Sequence, residues 1–169
     1  MKDQDKTKEQ LIRELNDLRH RVNQLNVTSE KNSCEKYHEL VDCTNSIILR
    51  WDPSGKITFL NKFGLSFLGF SSEKIVGKHL IGTIVPKTDM AGTNLAKMIE
   101  EIGVRPERYA NNQNENMRRN GERVWISWTN TPILDENGNV KEILSIGNDN
   151  TDLKRIDEEL LKTKAELEV

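Results

Sequence analysis

The sequence predicts an α+β fold in which an antiparallel sheet lies between two charged, helix-forming ends. Three observations predict it. Two Asn-Gly pairs, Asn120-Gly121 and Asn137-Gly138, bracket an apolar, aromatic and β-branched run. Asn-Gly is the strongest short hairpin signal because both central residues of a tight turn must accept positive φ, so residues 119–152 read as three strands in a meander. Asp52-Pro53-Ser54-Gly55 sets Asp, Pro and Gly at the first, second and fourth places of a type I turn and folds one short strand back on another. Finally, Leu11, Leu15, Leu18, Val22 and Leu25 alternate steps of four and three, a heptad seam.

In chain order, the first helix runs from Lys8 to about Lys31 without Pro or Gly, and carries Glu9 to Arg13 and Asp17 to Arg21 as acidic-then-basic pairs four apart. The apolar stripe is narrow and the remaining surface is charged, which favours self-association over packing on its own domain. A polar stretch, residues 28–33, is expected to break it before a short helix over 37–41. Strands follow at Ile47–Trp51 and Ile57–Leu60. Asn61 is placed to cap a helix through Phe63, Leu65, Phe67 and Leu68, closed by Gly69. Ser71 to Gly77 repeats that logic in miniature, and residues 79–87 suggest one more helical turn. Leu95, Met98, Ile99 and Ile102 occupy relative positions 0, 3, 4 and 7 of a helix with one buried face, with Gly103 as its stop. Residues 105–117 are polar and Asn-rich, a loop by local pattern. After the third meander strand, Asp149, Asn150, Thr151 and Asp152 offer helix caps, and Leu153, Ile156, Leu160 and Leu167 resume the three-four rhythm up to Val169, as though the helix continued into a further domain.

Asn114-Glu115-Asn116 before a turn, Trp125-Ile126-Ser127-Trp128-Thr129-Asn130, Asp135-Glu136-Asn137-Gly138, and the closing run Gly147 to Asp152 together resemble the C-terminal half of a PAS domain, the sensory module of many bacterial signalling proteins. The strand-turn-strand, Asn61, the short helix, Leu68-Gly69-Phe70-Ser71 and Val76-Gly77-Lys78 resemble its N-terminal half. The resemblance covers residues 37–152. It implies a five-stranded antiparallel sheet with helices on one face, and it turns residues 105–117 into a loop entering a strand. The family's closing motif is Asp, an aliphatic residue, then Thr; Asp149 and Thr151 match it and Asn150 departs from it. The expected organisation is an N-terminal coiled-coil helix over 1–33, a PAS domain over 34–152 and a C-terminal signalling helix over 153–169.

The chemistry the residues allow is narrow. With 25 basic and 27 acidic residues interspersed, and a net charge of −2, the chain has no basic footprint for nucleic acid and no polybasic membrane patch. No apolar run approaches a bilayer span and the N-terminus lacks a signal-peptide core, so a cytoplasmic protein is expected. Cys34 and Cys43 have neither zinc nor dithiol spacing and are expected to be unpaired, buried or half-buried thiols. No nucleophile with its base, carboxylate pair, phosphate loop or metal cluster has a recognisable spacing, so no enzyme is expected.

The resemblance implies a sensor that encloses a small molecule between sheet and helices. Candidate walls are Leu95, Met98 and Ile99, then Ile126, Trp128 and Asn130 on one strand face, and Leu144 and Ile146 on another. Which strand face turns inward depends on whether Pro132 marks a bulge that shifts the alternation. Flavin photochemistry through a reactive Cys is not expected, because the comparable segment, Gly82-Thr83-Ile84-Val85, has none. Haem is not expected either, because residues 91–102 lack His and His79 reads as a surface or capping residue. Non-covalent flavin, needing an apolar slot, a stacking Trp51 or Trp128 and an amide such as Asn130, stays open, as does a small metabolite.

The resemblance implies Asp149 and Thr151 as the signal-transfer junction. The expected partners are a second copy, as a parallel homodimer joined through Leu11, Leu15, Leu18, Val22, Leu25, Ile156 and Leu160, and a downstream output domain. The alternatives are a structural dimerisation scaffold with no ligand, and the sensor fragment of a histidine kinase or diguanylate cyclase.

Overall fold

The computed structural model describes residues 8–167, except the side chains of Leu11, residues 29–35 and His38. Its elements are α1 (Lys8–Asp42), β1 (Ile47–Trp51), β2 (Ile57–Leu60), α2 (Lys62–Leu68), α3 (Ser72–Ile75), α4 (Leu95–Val104), a 3₁₀ turn at Pro106–Tyr109, β3 (Asn111–Met117), β4 (Arg123–Leu134), β5 (Val140–Asp149) and α5 (Thr151–Leu167). The helix up to Val41 and the chain from Asp42 onward are separate compact units.

The first unit corrects one expectation. The backbone is helical throughout residues 28–33, so the expected boundary at 33/34 falls inside a continuous helix. No Gly or Pro interrupts the stretch, and the Thr28 hydroxyl donates to the Gln24 carbonyl one turn back, at 2.8 Å. A polar side chain can be absorbed in this way without breaking the helix. Leu15, Leu18, Val22 and Leu25 are all exposed on it; the Leu11 side chain lies outside the described residues. Cys43, expected to be at least half-buried, is a free and exposed thiol.

The sheet of the second unit is antiparallel throughout, in the order β2-β1-β5-β4-β3. Its inner face and the buried residues of α2, α3, α4 and the 79–94 segment form one core, which includes Ile47, Trp51, Leu68, Ile75, Ile84, Ile102 and Ile126. The turns differ from the tight type expected at the Asn-Gly pairs, because among the described residues no non-glycine residue has positive φ. At 52–56, 89–93, 118–122 and 135–139, the N–H of the first residue donates to the carbonyl of the fifth and the N–H of the fourth, a glycine, donates to the carbonyl of the first. This is a type I turn closed by a left-handed glycine, which confines positive φ to Gly55, Gly92, Gly121 and Gly138. In three of the four the first residue is Asp (Asp52, Asp89, Asp135), whose carboxylate accepts further N–H groups of its own turn.

Asn61 is buried and caps α2 as expected. Its side-chain oxygen accepts from Gly64 N at 3.0 Å and Ile48 N at 2.9 Å, and its amide donates to the Ser46 carbonyl at 3.0 Å. Residues 79–87, in contrast, form no helical turn. They are a hydrogen-bonded loop in which Gly82 takes φ +83, and Leu80, Ile84 and Val85 point into the core. Gly103 does not stop α4 but lies within it, and the close approach of Pro53 accounts for the glycine, since a Cβ there would stand 2.5 Å from the Pro53 carbonyl oxygen. The strand irregularity falls between Ile133 and Leu134 rather than at Pro132.

Candidate functional site: an amide-lined interior and a locked helix exit

Antiparallel residues directly opposite one another share a sheet face. Buried Ile47, Leu49 and Trp51 of β1 pair with Gly147, Ser145 and Ile143, so these three turn inward, and their partners on β4 are Trp128, Asn130 and Pro132. Ile126, Trp128 and Asn130 therefore lie on the inner face. Leu144 and Ile146 do not: they occupy the intervening positions, opposite Arg50 and Ile48, and Ile146 is 39% exposed. Their hydrophobicity concealed the small residues, Ser145 and Gly147, that hold the inner positions.

The inner face encloses a cavity walled by Leu49, Trp51, Leu80, Ile84, Val85, Ile99, Ile102, Asn112, Asn114, Trp128, Asn130 and Ser145. Of the expected residues, Ile99, Trp128 and Asn130 are in this wall, whereas Leu95, Met98 and Ile126 pack in or against the core beside it. The cavity offers about 20 Å³ to the centre of a water-sized sphere, room for a water or two.

A polar chain crosses this wall from β1 to β3. Trp51 Nε1 donates to Ser145 Oγ at 2.9 Å, and Ser145 donates to Asn130 Oδ1 at 2.6 Å. The Asn130 amide donates to Asn112 Oδ1 and to the Tyr109 carbonyl, both at 2.7 Å, and Asn112 donates to Asn114 Oδ1 at 3.0 Å. Both Asn130 amide hydrogens are thereby used, and each link fixes the donor sense of the next. Every member is neutral, so the wall favours an uncharged, hydrogen-bonding occupant over an ion that would lose its hydration unpaired. Outside the cavity wall, the Tyr109 hydroxyl donates to Glu101; that hydrogen bond, partial burial and the Glu101 charge raise its pKa above the ordinary tyrosine value.

A flavin does not fit these residues. The two indoles that could stack on it are packed as buried parts of the wall, Trp51 spends its N–H on Ser145, and the space between them admits a water or two rather than a tricyclic ring, which would have to push the wall apart. Trp128 lies directly over Gly147, where a Cβ would stand 2.6 Å from its ring. His79 serves the turn: its Nδ1 accepts from Ile81 N at 3.1 Å. Among the described residues no cluster of His, Cys, Asp and Glu could hold a metal ion, and no helix is long and apolar enough to cross a membrane.

The second expected site lies where β5 becomes α5. Asn150 N donates to the Trp125 carbonyl at 2.8 Å, which continues the β4–β5 ladder one step past Asp149. The returning bond is made by a side chain, because Trp125 N donates to Thr151 Oγ1 at 3.0 Å. The same hydroxyl donates to Asp149 Oδ1 at 2.6 Å, and Thr151 N donates to that oxygen at 3.0 Å. Lys154 lies over the Trp125 ring at 4.8 Å. Asp149 and Thr151 are thus brought together, with Trp125 as a partner that sequence spacing did not reveal. Ile156 and Leu160 of the exit helix are exposed.

This sheet order, with helices on one face and a helix leaving the last strand, defines the PAS architecture, and the PAS fold family matches residues 35–149. The chain belongs to that family. A curated relative, the two-component sensor PprA of Pseudomonas aeruginosa, is 26% identical over 129 residues; the match takes in 75% of this chain but only 13% of that protein. Among solved structures, the PAS domain of an HTR-like protein from Haloarcula marismortui superposes with a TM-score of 0.57 at 14% identity, covering 75% of this chain and 98% of that one. A sensory box histidine kinase/response regulator from Burkholderia thailandensis gives 0.56 at 17% identity, covering 79% and 98%. The chain therefore contains a PAS sensory domain related to those of two-component sensors, and such domains are in general sensory modules rather than catalysts.

Proposed function

We propose that this chain is the sensing and dimerising part of a signal-transduction protein, in which a change in the amide-lined interior is passed through β4 to the exit helix. The carrying observation is the position of Trp125. Its strand neighbour Ile126 lies in the core and Trp128 and Asn130 wall the cavity, while its own backbone N–H and C=O hold Thr151 and Asn150 at the start of α5. A displacement of Asn130 or Trp128 therefore moves the strand that anchors the helix. An exposed heptad seam on α1, with Leu15, Leu18, Val22 and Leu25, and exposed Ile156 and Leu160 on α5 supply apolar rows that a second, parallel copy would cover. Such a seam has more than one packing arrangement, which suits it to carry a rotation onward to an output domain.

A ligand-free scaffold is the second reading, favoured by the small volume of the cavity and the internal satisfaction of its polar chain. Two measurements separate the readings. Sedimentation equilibrium of the whole chain should give a dimer that Leu18→Lys with Leu160→Lys converts to monomer; a monomeric parent sinks the dimer in both. Native mass spectrometry of gently purified protein should then show a small neutral adduct that Asn130→Leu abolishes. A bare dimer, with Asn130→Leu equally folded and unchanged in cross-linking across the exit helix, leaves only the scaffold.

A further inference from the structure

We propose that the groove between α3 and the turn joining β3 to β4 binds a phosphate-bearing small molecule, at a site separate from the interior cavity. Lys74, Lys78, Arg118 and Arg119 all line this groove with Thr83, and no carboxylate is among its lining residues. Its volume is about 320 Å³, within the range of small-molecule sites. On a chain whose formal charge is −2, four cations around one concavity are a local excess that solvation of scattered lysines does not require.

Two features build the site beyond mere charge. Arg118 is held in place: its guanidinium lies over the Phe67 ring at 4.3 Å and Nη1 bonds Glu122 at 2.9 Å, yet its buried Nε has no partner. Arg119 N donates to the Leu68 carbonyl at 2.9 Å, which pins the turn against the end of α2. Glu122 offsets one of the four charges and Glu73 is the exposed acidic neighbour of Lys74 on α3. Lys74, Lys78 and Arg119 form no ion pair among the described residues, which leaves about three positive charges for a dianion. Arginine forks favour a phosphate, whose oxygens accept two parallel bonds. A second groove, of about 440 Å³, adjoins along Arg118 and Arg119 and is lined by Ser66, Phe67 and Asn120. It gives the body of the molecule a place to lie.

The test is an amide NMR titration of the whole chain with inorganic phosphate and with ribose 5-phosphate, ionic strength being held constant with sodium chloride. We expect saturable shifts centred on residues 74–83 and 118–121, with a dissociation constant on the order of 1 mM for phosphate and tighter for the ester. Lys78→Gln with Arg119→Gln, both exposed and so not needed for folding, should weaken binding at least tenfold, and Lys141→Gln on β5 should leave it unchanged. Non-saturating shifts, or equal loss in the Lys141 variant, would show a diffuse counter-ion effect and overturn the site. Saturable phosphate binding with no gain for the ester would overturn the assignment to a phosphate-bearing small molecule.

Discussion

Replacing Thr151 by Val tests whether the exit helix is held by its hydroxyl rather than by local helix preference. Val keeps the β-branched shape and has a similar helix propensity, so what changes is the oxygen. Its removal takes the acceptor from Trp125 N, 3.0 Å away, and the donor from Asp149, 2.6 Å away. A buried N–H left without a partner costs about 1–3 kcal/mol. Trp125 is only half-buried, so the lower part applies, about 1–1.5 kcal/mol or roughly tenfold in the folded-to-unfolded ratio. Urea unfolding should show that loss, hydrogen exchange at the Trp125 amide should accelerate by a similar factor, and Thr151→Ser should retain most of the stability. The reasoning is refuted if Thr151→Val stays within about 0.5 kcal/mol of the parent, the range of a neutral surface change, with Trp125 exchange unaltered.

Gly147→Ala should push Trp128 off its seat, with a loss of about 1–3 kcal/mol and a changed near-ultraviolet dichroism, since the new Cβ would start 2.6 Å from the ring. Asn61→Ala removes both the cap of α2 and the acceptor of Ile48 N; a loss of about 2–3 kcal/mol is expected, and Asn61→Asp should recover part of it by restoring the acceptor. Glu142 joins the outer face of the sheet, accepting from Thr58 Oγ1 at 2.5 Å and pairing with Arg50. Partial burial pushes its pKa up, but the Thr58 and Arg50 hydrogen bonds and the neighbouring positive charges outweigh this and hold it below the ordinary glutamate value. Its contribution to stability is therefore complete above the unfolded glutamate range and lost as pH falls through the lower, folded value. Denaturant titrations between neutral and acid pH should show Glu142→Gln destabilised at neutral pH and converging on the parent in acid; parallel curves would contradict the pairing.

Most of the architecture was legible because it rests on local chemistry. Glycines at turn positions, Asn61 and Gly69 at the ends of a helix, and the 0, 3, 4, 7 spacing of Leu95 to Ile102 state their roles within a few residues of chain. Motif resemblance added β3, whose Asn-rich sequence carries no strand pattern of its own. The same resemblance singled out Asp149 and Thr151, as the two matching positions of the family's closing motif.

Tertiary structure decided what depends on partners distant in sequence. Alternation shows that Leu144 and Ile146 share a face but not which face, and only their pairing with Arg50 and Ile48 turned them outward and Ser145 inward. The amide chain from Trp51 to Asn114 spans four strands, so no window of sequence contains it. Trp125 became part of the junction because β4 lies beside β5, and Lys74, Lys78, Arg118 and Arg119 became one groove because the turn after β3 folds against the end of α2. Sequence fixes periods, caps and turns, which are short-range; register and the meeting of remote side chains are set only when the sheet closes.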